Sequence, residues 1–298
     1  MPPRLIAEGK IQVLGETIHS VVYAVAGDSE TGLAKDSLSV LKGGSVWYEG
    51  RQALGPGKKI GESDERLRKE AAMYKALGKH ERILELLGLE ESVLVGRDEP
   101  PGTVPQAWAL RLERASFGSL RDLIVREASP PAVRTRLGLA IQFAEGVAHV
   151  HRCGIVWGDL STRNALRFDG WRIKLGDFAD SEFLADYPSD WYWCEVRYCP
   201  PGSSRPHRHD IGTLKRELFA LGTAIYEITE WKVPYGLETE VDEDQVIAML
   251  VNGEWPSVSS DNPARDIIQQ CWSYGYESSQ HVVDSLQSLP CVAAESAS

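Results

Sequence analysis

The chain has 298 residues, 43% hydrophobic and 25% charged, a balance that predicts a folded protein with a substantial core in one large domain or two lobes and excludes a disordered chain. Its 43 acidic side chains against 32 Lys and Arg leave a formal net charge of −11, which argues against nucleic acid or an anionic membrane as partner. Five cysteines without a CxxC spacing (Cys153, Cys194, Cys199, Cys271, Cys291), no signal-like N-terminus, and apolar runs no longer than segments such as "FALGTAI" predict a soluble protein of the cytoplasm or nucleus, neither secreted nor membrane-spanning.

Taken in chain order, "KIQVLGE", "SVVYAVAG" and "LSVLKGG" read as strands separated by polar, glycine-bearing connections. Residues 48 to 63 read as a glycine- and lysine-containing loop, and "DERLRKEAAMYKALG" as a helix with acidic residues early and a glycine at its end. "ILELLGLEESVLV" and "AWALRLE" read as two further strands. From "GSLRDLI" onward helices take over: "PAVRTRLGLAIQFAEGVAHVHRCG", "LKRELFALGTAIYEITE", "DEDQVIAMLVNGE" and "PARDIIQQCW" repeat apolar residues at helical spacing. The expected architecture is α+β: a small β-rich lobe with one main helix, then a larger helical lobe, with the junction near Ala115 to Gly118. A cleft between such lobes is where a ligand is expected.

Phosphoryl transfer needs a lysine on nucleotide phosphates, carboxylate and amide ligands for magnesium, and a carboxylate turned toward the attacking hydroxyl. All occur in a suggestive order. Lys42 ends the strand "SVLK" and Glu70 lies on the following helix. Asp159 and Asn164 stand at the spacing D-x-x-x-x-N in "GDLSTRN", and Asp177 follows in "GDFAD". Each residue alone has a plainer reading: a solvated strand-end lysine, a surface glutamate, a turn-capping aspartate or asparagine.

With "VLGETIHSVVY", "LRLERASFGSL" and "LFALGTAIYEITEWKVPYG" in the same order, the chain resembles the eukaryotic protein kinase superfamily over most of its length. The resemblance implies a bilobal kinase domain over residues 1–291 (N-lobe about 8–115, C-lobe about 118–291) and a disordered tail over 292–298. It implies ATP and Mg²⁺ as cofactors and a protein as substrate. The catalytic set would be Asp159, Lys42, Glu70 and Arg163: Lys42 on the α- and β-phosphates with Glu70 as its partner, Asp159 orienting the substrate hydroxyl and taking its proton. Asn164 and Asp177 would hold magnesium. Val22, Val40 and Leu166 would sandwich the adenine, Leu112 would be the gatekeeper, and Glu113 and Ala115 the hinge, with Gly15 in the phosphate-covering loop.

Several positions depart from the family pattern. Thr17 and Ser20 replace two glycines of that loop, Val40 an alanine, Trp157 and Gly158 the His and Arg before the catalytic aspartate, Ala179 the glycine after "DF", and Glu217 an aspartate of the central helix. Gly202 and Ser279 stand where relatives place a buried Glu and Arg pair; losing both partners together avoids stranding a charge. Ser161 and Arg163 resemble the tyrosine-kinase "DLxxRN" form and also some divergent fungal kinases, so hydroxyl specificity stays open. Two further readings share the fold: a pseudokinase serving as a nucleotide-binding scaffold, and a kinase of small molecules.

Overall fold

The computed structural model describes residues 4–6, 10–17, 20–25, 37–48, 51–54, 63–93, 104–127, 129–187, 194–201 and 212–293. They fall into two compact units, the first comprising Met1–His80 with Leu84–Arg114, the second Glu81–Ile83 with Ala115–Ser298.

The first unit is built on a six-stranded antiparallel sheet in the order β1-β2-β3-β4-β8-β7, with β1 at Arg4–Ile6, β2 at Ile11–Glu16, β3 at Val21–Val25, β4 at Ser39–Gly43, β7 at Leu86–Ser92 and β8 at Gln106–Glu113. Runs such as "VVYAV" are β-branched and aromatic, which suits a pleated, half-buried surface. Ile11, Val21, Tyr23, Leu41, Val46 and Ala109 form a buried cluster. Helix α1, Asp64–Leu77, buries Leu67, Glu70, Ala71, Tyr74 and Leu77, an i, i+3, i+4, i+7 stripe. Gly78, at φ 65°, ends it.

Two features of this unit differ from the sequence reading. The segment 48 to 63 is not loop throughout: β5, Val46–Tyr48, pairs with β6, Arg51–Leu54, as a separate antiparallel ribbon. Strand β1 joins the sheet edge beside β2. The connections over 26–36 and 94–103 lie outside the described residues.

The second unit is helical. Helix α2, Leu120–Arg126, starts with a reciprocal capping box between Ser119 and Asp122. Helix α3, Val133–Arg152, and helix α4, Thr213–Glu230, pack against each other, and α4 is buried over all but a few positions. Helices α5 (Glu243–Val251), α6 (Arg265–Trp272), α7 (Ser279–Gln287) and α8 (Pro290–Ala293) complete it; α8 runs two residues into the expected tail, and 294–298 lie outside the described residues. Short antiparallel ladders join β9 (Ile155–Val156) with β12 (Glu182–Phe183), and β10 (Ala165–Phe168) with β11 (Arg172–Leu175). No helix among the described residues is long and apolar enough to cross a membrane.

Candidate active site

In the first unit, β4 carries Lys42 and α1 carries Glu70 into one ion pair. Lys42 Nζ donates to Glu70 Oε1 at 2.8 Å and Oε2 at 3.0 Å. Lys42 is 6% exposed and Glu70 1%, so both charges are removed from water and each depends on the other. Across the sheet Val22 is in register with Lys42, Val40 with Leu112, and Gly15 with Val22 beside a β-bulge. Val40 and Leu112 are both buried. Glu113 is tied to the chain before β7: its N–H donates to Glu85 O at 3.1 Å, and its Oε1 accepts from Glu85 N–H at 2.7 Å.

The turn between β2 and β3 closes on its own substituted positions. Thr17 N–H donates to Ser20 O at 2.8 Å, and Ser20 N–H donates to Thr17 Oγ1 at 3.0 Å. Two amides of the segment expected to cover phosphates are therefore engaged inside the turn.

In the second unit, the loop from Trp157 to Asn164 hangs from α4. Glu217, fully buried, accepts from Trp157 N–H at 3.1 Å and Gly158 N–H at 2.9 Å. Its Oε2 also lies 2.8 Å from His151 Nε2, and His151 Nδ1 lies 3.0 Å from Ser279 Oγ. His151 bridges the Glu217 carboxyl and the Ser279 hydroxyl through its two ring nitrogens. The longer glutamate thus reaches the loop backbone, and Ser279 is engaged by a histidine. Gly202 lies outside the described residues.

Trp157 packs between Phe143 and Phe178, with ring centroids 6.0 Å and 5.7 Å away, and its indole N–H donates to Asp177 O at 2.9 Å. Tryptophan here therefore fills an apolar position and still satisfies its polar edge. Asp177 itself holds a left-handed backbone at φ 57°, uncommon for a residue with a Cβ. Ala179 N–H lies 3.4 Å from Asp177 Oδ1.

Asn164 Nδ2 donates to Asp159 Oδ2 at 2.8 Å and to Asp159 O at 2.9 Å, which fixes the carboxyl group. Burial pushes the Asp159 carboxyl up to about 6, reinforced by the charges of Asp177, Asp180 and Glu195 and opposed by the Asn164 hydrogen bond. Leu166 sits on β10, in register with Lys174 and bridged to Ser119, while Ala115 is half-buried at the start of the second unit.

A second polar network beside this loop was not visible in the sequence. Arg121 of α2, buried, bonds Glu227 of α4, Thr162 Oγ1 at 3.2 Å and Glu195 Oε1 at 3.1 Å. Glu227 also accepts from Thr162 Oγ1 and from Tyr198 Oη, each at 2.7 Å. Burial alone would lower the Arg121 pKa; the carboxylates of Glu227 and Glu195 outweigh it and raise the guanidinium above its ordinary value. Ser161 Oγ donates to Glu195 Oε2 at 2.9 Å, and Arg163 Nη2 bonds Glu195 and Glu238. Asp159, Ser161, Arg163, Glu195, Arg197 and Glu238 are among the residues lining a cavity of about 550 Å³ within this unit.

The donor set suits magnesium. Asp177 offers a carboxylate, and Asn164, with its amide nitrogen turned to Asp159, leaves its oxygen for a cation. No cluster of three or more His, Cys, Asp or Glu able to hold a metal occurs among the described residues.

A family model described as protein tyrosine and serine/threonine kinase matches residues 57–286, and the chain belongs to that family. Among similar proteins, a probable LIM domain-containing serine/threonine-protein kinase of Dictyostelium discoideum is 27% identical over 54% of this chain and 24% of its own length. The insulin receptor of Xenopus laevis is 26% identical over 69% of this chain and 15% of its own length. An inactive tyrosine-protein kinase 7 of Gallus gallus is 26% identical over 69% of this chain and 19% of its own length. The chain thus spans less than a quarter of these relatives, which include proteins named as kinases and one named inactive.

Proposed function

We propose that the chain moves the γ-phosphate of ATP, with Mg²⁺, to a hydroxyl of a protein substrate, and that residues 1–291 act as one kinase domain. The observation that carries this reading is the Asp159 and Asn164 pair: a carboxyl held in one orientation by a neighbouring amide, with a pKa moved toward the range useful for a base. In this reading Asp159 accepts the hydroxyl proton as the substrate oxygen attacks phosphorus and ADP leaves. Lys42, kept extended by Glu70, steadies the α- and β-phosphates. Asn164 and Asp177 hold the magnesium, which when bound neutralises phosphate charge. Val22, Val40 and Leu166 contact the adenine, Leu112 is the gatekeeper, and the Glu113 and Ala115 backbones form the hinge, with Gly15 over the phosphates. Arg163, held by Glu195 and Glu238, positions rather than reacts.

The test is magnesium-dependent transfer of labelled phosphate from ATP to a generic protein mixture. Transfer is expected, with loss of at least about a hundredfold in Lys42→Met and Asp177→Asn, equivalent to about 2.7 kcal/mol of barrier. Parental turnover in both variants would exclude the reading. The closed Thr17 to Ser20 turn favours a second reading, a nucleotide-binding pseudokinase scaffold, since amides spent inside the turn cannot reach phosphate. ATP binding measured without any transfer, in the parental protein, would decide for it.

A further inference from the structure

Cys194 and Cys199 lie five residues apart, and both are buried, at 2% and 1% exposure. Their sulfurs are 2.8 Å apart and both are thiols. A disulfide needs about 2.05 Å, so closing the bond asks for a movement of roughly 0.8 Å. Between them runs the short 3₁₀ turn Val196–Tyr198. The bracketed residues are those that reach the catalytic loop: Glu195 accepts from Ser161 Oγ and Arg121, and Tyr198 Oη donates to Glu227 and lies 3.3 Å from Thr162 N–H. Both cysteines pack in one buried cluster with Val156, Val246 and Leu250, and Cys194, unlike Cys199, is among the residues lining the cavity that reaches Asp159. The cavity therefore gives a small oxidant an approach to Cys194.

We propose that Cys194 and Cys199 form a redox modification site, a dithiol that a hydroperoxide converts reversibly to a disulfide clamping the Glu195 to Tyr198 segment. The Cys194 sulfur attacks the distal peroxide oxygen and its thiol proton passes to the departing oxygen, giving Cys194 sulfenic acid and releasing water or the alcohol of the hydroperoxide. The Cys199 thiol then attacks the Cys194 sulfur, forming the S–S bond and releasing a second molecule as water. The peroxide gains the two electrons that the two thiols lose. Exchange with a dithiol reductant restores the starting state.

The test treats the full chain with hydrogen peroxide, alkylates residual thiols under denaturing conditions, and maps peptides by mass spectrometry. The expected result is a Cys194 to Cys199 link, two hydrogens lighter, that dithiothreitol reverses, together with a melting temperature raised by about 4 °C as the closed loop restricts the unfolded chain. In Cys199→Ser the expected product is Cys194 sulfenic acid, captured by a 1,3-dione. Modification of only Cys153 and Cys291, with both buried thiols still alkylated, would overturn the proposal, as would oxidation of Cys194 to sulfinic acid in the parental chain without the link. None of these readouts requires phosphate transfer, so the result stands apart from the outcome of the kinase assay.

Discussion

Gly158 occupies a position where a side chain cannot be added without moving the backbone. Its φ is 80°, and a Cβ built there would sit 2.4 Å from the carbonyl oxygen of Asp180. The sequence presents this residue as the loss of an arginine; the structure adds that the loop has closed onto the segment after Asp177 in the space a side chain would need. Gly158→Ala is therefore expected to cost about 1–3 kcal/mol, read as a lowered denaturation midpoint with unchanged slope. On the proposed function, the neighbouring Asp159 is expected to set the pH response. With its pKa lifted from 3.8 to about 6, the base is protonated on the acid side, so kcat/KM for phosphate transfer should fall as pH drops through about 6. Asp180 contributes to the lift, so Asp180→Asn should move that limb to lower pH; a limb that stays in place would mean another group controls it. The fold feels the same shift with the opposite sense: the native state holds the proton more tightly than the unfolded chain, so stability declines as pH rises between 3.8 and about 6.

Helix α4 carries the loop from Trp157 to Asn164 on two buried carboxylates, Glu217 and Glu227. Glu217 takes the Trp157 and Gly158 amides at one end of the loop, and Glu227 takes Thr162 and Arg121 at the other. Both are fully buried, so each is tolerable only because its donors are in place. Glu227→Gln leaves Arg121 in low dielectric with half its compensation, and a loss of about 3–5 kcal/mol is expected. Arg121→Met combined with Glu227→Gln should cost less than the sum of the single changes, because no buried charge is then stranded; strict additivity in denaturation would disprove the coupling. The sequence places α1, α3 and α4 within a few residues of their observed limits, because α1 and α3 bury a face at helical spacing and α4 is a long apolar-rich run buried nearly all round. The β5 and β6 ribbon escaped notice because glycine and lysine dominate its surroundings, although "VWY" is a run of strong strand formers.

At the scale of the whole molecule, control is expected to be independent of phosphorylation between Asp177 and Pro201. Gly158 offers no donor for a phosphate, and Ser181 is fully buried with its hydroxyl donated to Trp157 O at 2.7 Å, so it is not a surface acceptor. Tyr187 packs against the Val156 cluster. Ser189 and Tyr192 lie outside the described residues. Phosphatase-treated protein should retain its rate within about tenfold, equivalent to about 1.4 kcal/mol of barrier; a larger drop would mean that another basic residue, Arg197 or Arg152, receives a phosphate. The strand-rich and helical halves, the family resemblance and the candidates Lys42, Glu70, Asp159, Asn164 and Asp177 are legible from residue order alone, because periodic burial and short motif spacing are local properties written within a few turns of chain. Folding in three dimensions is what brings Glu227 to Arg121 across 106 positions, Ser279 to His151, and Cys194 to Cys199. Such contacts arise because buried polar groups must find partners wherever the packed chain brings them, and no local pattern records which partner that is.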